Sequence, residues 1–364
     1  MTLSSKIKIL FIALNFIVPI VNASTLNVTK ICLTGRIEEN LPAYKETFTN
    51  AASLAINEMN YSSLVQMKLY LYGNEALSPL VEYQKMRSDH CSAIIGFEYL
   101  TDLLLAVQAQ RDKTVPVFTS YSSTLASKEL PSNIFVFSPT YDFLAGKMFS
   151  FLQRRFGRLN NILIATEVNR ASMSEYTEAY EAIFKKNNIK YDNFYFLETD
   201  QNLPNDLKIF LGKKHYDYVF LMSGAIGSAQ IANVMNDQKT IFIGTENFGS
   251  YELPSFYLLL NNKKIRSFFI RNISYLNPSK ELLAFQEKYE HVYGSQPTAL
   301  SAYTYDAVKI ILTALANGKS LKNSSIMEIN YKGVTGAYFI NNTFHRSNDY
   351  TILSVTPSGY KYEE

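Results

Sequence analysis

Short apolar runs with a two-residue period alternate along this chain with longer segments whose apolar positions recur every three or four residues. Residues 30–33 read as a strand, and 44–59 carry Phe48, Ala51, Leu54, Ala55 and Met59 at helical spacing. A strand at 67–72, a helix at 80–87, a buried strand at 92–96, a helix at 101–111 and a strand at 115–118 follow. That last strand runs into the hydroxyl-rich stretch Thr119, Ser120, Tyr121, Ser122, Ser123, Thr124. The cadence then repeats, with a strand at 134–137, a helix from Asp142 to about 156 and a strand at 162–165. Ser172 and Glu175 have capping-box spacing and are expected to start a helix reaching 187. A strand at 194–197, a short helix after Asn205, a strand at 218–222, a helix from Ser228 and a strand at 241–243 complete the series. Such alternation demands parallel sheets covered by helices on both faces. The last hundred residues differ: helices at 279–293 and 300–315 are followed by strands at 336–340 and 352–355, as in a chain that returns to each of two lobes in turn.

The first 23 residues have another character. Lys6 and Lys8 precede an apolar run at 9–20, and Val21-Asn22-Ala23 has the small-residue pattern of a cleavage site. The run is shorter than the roughly 20 residues that span a bilayer, so it reads as a signal peptide cleaved after Ala23, and no later run approaches spanning length. The mature protein is expected to be soluble, exported and periplasmic. The formal charge of +3 falls to +1 once the two leader lysines are gone, which gives no electrostatic case for binding nucleic acid or acidic lipid.

With 26 Tyr, 24 Phe and no Trp, an aromatic pocket wall here must be built from phenol and phenyl rings. Cys32 and Cys91 are the two cysteines, which excludes an all-cysteine metal site. Each lies in or beside an apolar strand, and two buried thiols are the favoured reading, because thiols on neighbouring strands rarely meet disulfide geometry. Pairing in an oxidising compartment is the alternative. His90, His215, His291 and His345 show no ligand spacing, and no nucleophile elbow, Walker loop or dinucleotide fingerprint occurs. The chain is therefore read as a non-enzyme without metal or cofactor.

Several stretches, in order and in register, carry a resemblance. They are Ile31-Cys32-Leu33-Thr34-Gly35, Ala93-Ile94-Ile95-Gly96, Val115-Pro116, Gly244-Thr245-Glu246, the block from Phe285 to Val308, and Gly333-Val334-Thr335-Gly336. Together they resemble the substrate-binding proteins of branched-chain amino acid ABC transporters, the type I periplasmic binding fold. The resemblance spans nearly the whole mature chain. It implies two doubly wound parallel-sheet lobes joined by three crossovers, lobe one being 24–139 plus 265–332 and lobe two 140–264 plus 333–364. The ligand would lie between the lobes, where open parallel sheets bind at the carboxyl ends of their strands.

An amino acid presents a carboxylate and an ammonium on one carbon. Hydroxyls and free N–H groups at helix starts suit the first, and a protein carboxylate suits the second. The resemblance places Ser122 and Ser123 at the carboxylate-binding turn, with turn chemistry as their ordinary role. Thr101 is the candidate for a second hydroxyl, in a loop where Phe97-Glu98-Tyr99-Leu100-Thr101 replaces the family's proline and paired serines. Glu246 stands at the ammonium anchor. Ser172 occupies the start of the first lobe-two helix, where the family tends to have an aromatic ring. Arg36 is expected to meet a solvent-facing Glu38 or Glu39 rather than a ligand. The implied function is capture of an amino acid or similar small polar solute by a monomer that delivers it to an ABC-type permease. A sensory protein of the same fold and an interaction protein that has lost the pocket are the alternatives.

Overall fold

The structure is a computed structural model that describes residues 28–36, 43–73, 78–97, 102–105, 115–120, 130–248, 255–273, 276–340, 343–345, 347–356 and 359–364. Five parallel strands, β1 (Thr29–Arg36), β2 (Val65–Tyr72), β3 (Ala93–Ile95), β4 (Val117–Thr119) and β5 (Ile134–Val136), form one sheet in the order β2-β1-β3-β4-β5. Successive side chains on a strand point to opposite faces, so this sheet feeds two cores. Ile31, Leu33, Ala93, Ile95 and Phe118 pack with Phe48, Ala51 and Ala55 of α1 (Ala43–Glu58). Cys32, Ile94 and Val117 pack with Tyr83 and Met86 of α2 (Pro79–Ser88).

The second sheet has seven strands. β6 (Ile162–Glu167), β7 (Tyr191–Phe196), β8 (Tyr218–Met222), β9 (Ile241–Gly244) and β10 (Arg266–Arg271) are parallel, and β14 (Thr351–Thr356) and β15 (Gly359–Tyr362) extend it antiparallel, in the order β15-β14-β10-β9-β8-β6-β7. α3 (Tyr141–Phe156) and α4 (Ala171–Lys186) cover one face. α5 (Leu203–Leu211) and α6 (Ala225–Met235) cover the other. Thr140 caps α3 by accepting the Phe143 N–H at 3.2 Å, and Gly157 at φ 78° ends it.

Between β10 and β14 the chain returns to the first core. α8 (Lys280–Tyr293) and α9 (Ala299–Ala316) pack there, and β11 (Tyr331–Lys332), β12 (Tyr338–Ile340) and β13 (Thr343–His345) form a small antiparallel sheet beside it, while α7 (Ser255–Leu259) lies between β9 and β10. The chain thus passes between the two large sheets three times: after β5, after β10 and after β13.

Several expectations are corrected. The return to lobe one follows β10 instead of preceding it at 265, because 266–271 is a buried strand whose arginines at both ends hide its apolar centre. Lobe two does not resume at 333. The Asp306 carboxylate accepts the N–H groups of Val334 and Thr335, both at 2.9 Å, and ties that loop to lobe one, with Ala337 and Phe339 in its core. Cys32 and Cys91 form a disulfide with Cα atoms 5.9 Å apart. Cys32 aligns with Ile94, so Cys91 is not its ladder neighbour. It precedes β3, just after His90 at φ 56°, where the pleat no longer fixes the side-chain direction. The buried-thiol reading is wrong for that reason.

Candidate functional site

The crossovers locate the cleft. Only residues 137–140 separate the carboxyl end of β5 from the start of α3. That helix runs back to the amino end of β6, so its own start lies at the carboxyl end of the second sheet. The carboxyl ends of both parallel sheets therefore face one crevice.

On the second lobe, β9 ends at Gly244 and passes into a 3-10 turn, Glu246–Phe248. The Phe248 ring lies against Gly244, where a Cβ would stand 2.0 Å from it, and stacks on Phe256 with centroids 4.2 Å apart. Thr245 accepts the Asn247 N–H at its hydroxyl, 3.3 Å away. A buried aromatic thus clamps the turn from below and leaves the Glu246 carboxylate half-buried above it. The Tyr176 hydroxyl donates to Glu246 Oε2 at 3.3 Å, from a ring that is fully buried and packed 4.3 Å from Tyr141. Burial pushes the Glu246 pKa above the ordinary carboxylate range. A backbone N–H, the Tyr176 hydroxyl and the charge of Arg271 offset this only in part. Burial and the neighbouring Glu246 charge push the Tyr176 hydroxyl well up, so it stays a neutral donor. This carboxylate is poorly solvated and incompletely compensated, which suits it to a cationic ligand group.

At the ends of β6 and β8, Glu167 is almost wholly buried. It pairs with Arg170 Nε at 3.0 Å and accepts the Gly224 N–H at 3.4 Å. The Arg170 guanidinium lies 3.4–3.6 Å from where a Gly224 Cβ would stand. Arg170 is the N-cap of α4 and makes no side-chain cap bond. Ser172 is therefore already helical, so the expected capping box does not form: the helix starts two residues too early for Ser172 to be its N-cap. Ser172 nonetheless lies in the first turn on the cleft side of β6.

On the first lobe, Thr101, Ser122 and Ser123 lie outside the described residues, as do Glu38 and Glu39. The frame around them is described. Gly96 (φ 139°) and Phe97 (φ 58°) make two successive positive-φ residues, and a Cβ on Gly96 would meet the Thr34 carbonyl oxygen at 1.9 Å. The Thr119 hydroxyl donates to the Phe97 carbonyl at 2.8 Å, and the Phe97 ring is buried beside Tyr72 and Tyr83. The unusual residue after β3 thus serves the outer core. A recess at the ends of β3, β4 and β5 is lined by Gly96, Phe118, Ser120, Phe137, Leu300 and Thr304. Among the described residues, the buried hydroxyls of Thr34 and Thr304 have no hydrogen-bond partner. Arg36 Nη2 donates to both carboxylate oxygens of the buried Asp102, at 3.0 and 3.1 Å, while its expected partners Glu38 and Glu39 lie outside the described residues.

Of the five expected site residues, two are described, and both belong to the second lobe. Tyr176, Arg271 and the Glu167–Arg170 pair were not anticipated. Helical spacing marks Tyr176 as a core ring, and nothing local says that its hydroxyl reaches a strand end.

No known sequence family matches the chain, and no curated protein matches it. Solved structures do. A leucine-binding protein, LivK, from Thermotoga maritima is 17% identical, with 93% of this chain and 98% of that one covered at a TM-score of 0.75. LivJ, the branched-chain amino acid transporter substrate-binding protein of Streptococcus pneumoniae, was solved with isoleucine and is 18% identical, covering 92% and 99% at 0.68. An ABC transporter solute-binding protein of Rhodopseudomonas palustris, solved with 3,4-dihydroxybenzoic acid, is 15% identical, covering 92% and 95% at 0.68. The fold of this chain, two doubly wound α/β lobes joined by three crossovers, is the type I periplasmic binding fold.

Proposed function

We propose that this chain is an exported solute-binding protein that captures an amino acid, or a similarly small polar solute with a cationic group, between its lobes. The observation that carries this reading is Glu246: a half-buried carboxylate at the carboxyl end of a central strand, steadied by the Tyr176 hydroxyl and open to a cation. The fold it shares with proteins solved in complex with isoleucine and an aromatic acid supports the same reading.

In this mechanism the hydroxyls of Thr101, Ser122 and Ser123 on lobe one take the ligand's carboxylate, and lobe two closes to bring Glu246 to the ammonium, with Ser172 on the rim. Closure follows when the ligand contacts both lobes better in the shut state than in the open one. The closed monomer then docks on an ABC-type permease, after export to the periplasm and cleavage behind Ala23. The chain acts as a carrier and not as an enzyme.

Calorimetric titration of the mature protein, unfolded and refolded to strip carried solute, tests this reading against amino acids and small carboxylates. Saturable heat with an α-amino acid, weakened about tenfold or more in Glu246→Ala, supports it. Binding of a solute that Glu246→Ala leaves unchanged would remove the anchor, and no binding at all would favour an interaction protein.

A further inference from the structure

The near-neutral net charge hides an uneven distribution. In the second sheet each helix runs from the carboxyl end of one strand back to the amino end of the next. The loops 157–161, 187–190, 212–217, 236–240 and 260–265 therefore all lie at the pole of lobe two opposite the proposed cleft. Each of these loops carries an exposed cation: Arg158, Lys190, Lys213, Lys239 and Lys264. Among the described residues, none of them makes an ion pair. The carboxylates of the same face are engaged elsewhere. Asp192 pairs with Lys214 at 2.8 Å and accepts the Tyr216 hydroxyl at 2.7 Å, while Asp217 and Asp237 lie 3.4 and 3.1 Å from His215. Helix dipoles account for cations inside the last turns, such as Lys185 and Lys208, and fade beyond them, where these loop residues stand.

The same pole exposes large apolar side chains. Phe210 turns inward onto Phe194, with centroids 5.1 Å apart, and its neighbour Ile209, in the last turn of α5, is left 79% exposed. Lys208 and Lys213 flank Ile209 in sequence. On α7, Leu258 and Leu259 are 59% and 45% exposed. Lys263 donates to the Leu258 carbonyl at 2.9 Å, and Asn233 of α6 donates to the Leu259 carbonyl at 3.0 Å. Because α6 packs against both α5 and α7, the two protrusions belong to one side of the lobe. A single exposed leucine needs no explanation. Apolar tips set among uncompensated cations match an anionic bilayer, which takes charge at its headgroups and apolar groups just beneath them.

We propose that this pole of lobe two docks on an anionic lipid bilayer. The loop cations sit among the headgroup phosphates, and Ile209 and Leu258 enter the boundary below. Charge alone suits any polyanion, whereas the apolar tips gain nothing from a dissolved acidic polymer and favour the bilayer. The leader expected at 1–23 delivers the chain to such a surface, and docking by this pole leaves the cleft free to open and take up solute. The claim does not rest on the proposed cleft ligand.

The test is sedimentation of the mature protein with vesicles of phosphatidylcholine and phosphatidylglycerol, set beside vesicles of phosphatidylcholine alone. The expected result is binding to the anionic vesicles and none to the neutral ones, lost as salt rises from about 0.05 M to about 0.5 M. The triple substitution Lys190→Gln, Lys213→Gln and Lys264→Gln should weaken binding about tenfold or more, and Ile209→Ser about tenfold. All four side chains are exposed, so each variant should melt close to the wild type. Lys280→Gln with Lys322→Gln, two exposed lysines of lobe one, should bind as the wild type does. No binding, equal binding to both kinds of vesicle, a triple variant that binds unchanged or an equal loss in the lobe-one variant each overturns the proposal. So does an Ile209→Ser variant that binds unchanged, which would make the face a general polyanion surface.

Discussion

The Tyr176 hydroxyl reaches Glu246 Oε2 across 3.3 Å, from the middle of α4 to the end of β9. That hydroxyl, a backbone N–H and the charge of Arg271 together only partly compensate a half-buried negative charge. The apo protein therefore holds its proposed anchor at a cost to folding, and a cationic ligand removes that cost.

The first prediction is that Glu246→Gln melts at or above the wild type at neutral pH without ligand, while binding ammonium-bearing solutes about tenfold or more weakly. A melt far below the wild type would show that the carboxylate is structural instead.

Two glutamates should have opposite pH signatures. The folded-state pKa of Glu246 is raised, chiefly by burial, so its favourable contribution is complete below the unfolded carboxylate range and is lost as pH rises through the folded value. Glu58 is also pulled up by burial, but hydrogen bonds from Tyr305, Lys288 and Lys309 prevail and hold it below the ordinary value. Its contribution is present above the unfolded pKa and is lost as pH falls through the folded one. Chemical denaturation between pH 3 and pH 8 should show Glu58→Gln approaching the wild type toward acid, and Glu246→Gln gaining on it toward neutral pH.

The Cys32–Cys91 bridge closes a loop of 59 residues in sequence. Its removal by the double substitution to Ser should cost about 4 kcal/mol, read as a lower urea midpoint. Native protein should show no thiol reactive toward a colorimetric reagent until it is unfolded and reduced.

Gly244→Ala places a methyl in the space held by the Phe248 ring. Repacking should cost about 1–3 kcal/mol and tilt the turn that carries Glu246, so stability and ligand affinity fall together. Denaturant melts and titrations on one preparation check both.

Much of the architecture was legible in the sequence because burial imposes periods. The apolar run at 218–222 could only be an inner strand, and Ser279, Gly294 and their spacing marked both ends of α8. β10 was hidden because Arg266 and Arg271 bracket its apolar centre. Arg271 is buried there all the same, over the rings of Phe269 and Tyr360. The disulfide was misread because strand pairing argues against neighbours in a ladder and says nothing of a residue just before one. In the proposed site, the place of Glu246 in a turn after a strand was legible from its motif. Tyr176 was not, since one residue serves both the core, by its ring, and the cleft, by its hydroxyl. The capping box failed because Ser172 and Glu175 have the right spacing in a helix that starts two residues earlier.

The most direct measurement is the melting temperature of the stripped mature protein with α-amino acids, set beside their des-amino carboxylic acid counterparts, for the wild type and Glu246→Gln. A ligand that binds the folded state alone raises that temperature. The account predicts a rise with an α-amino acid that disappears both with the des-amino acid and in the variant. An equal rise with both members of a pair, or the same rise in Glu246→Gln, would contradict it.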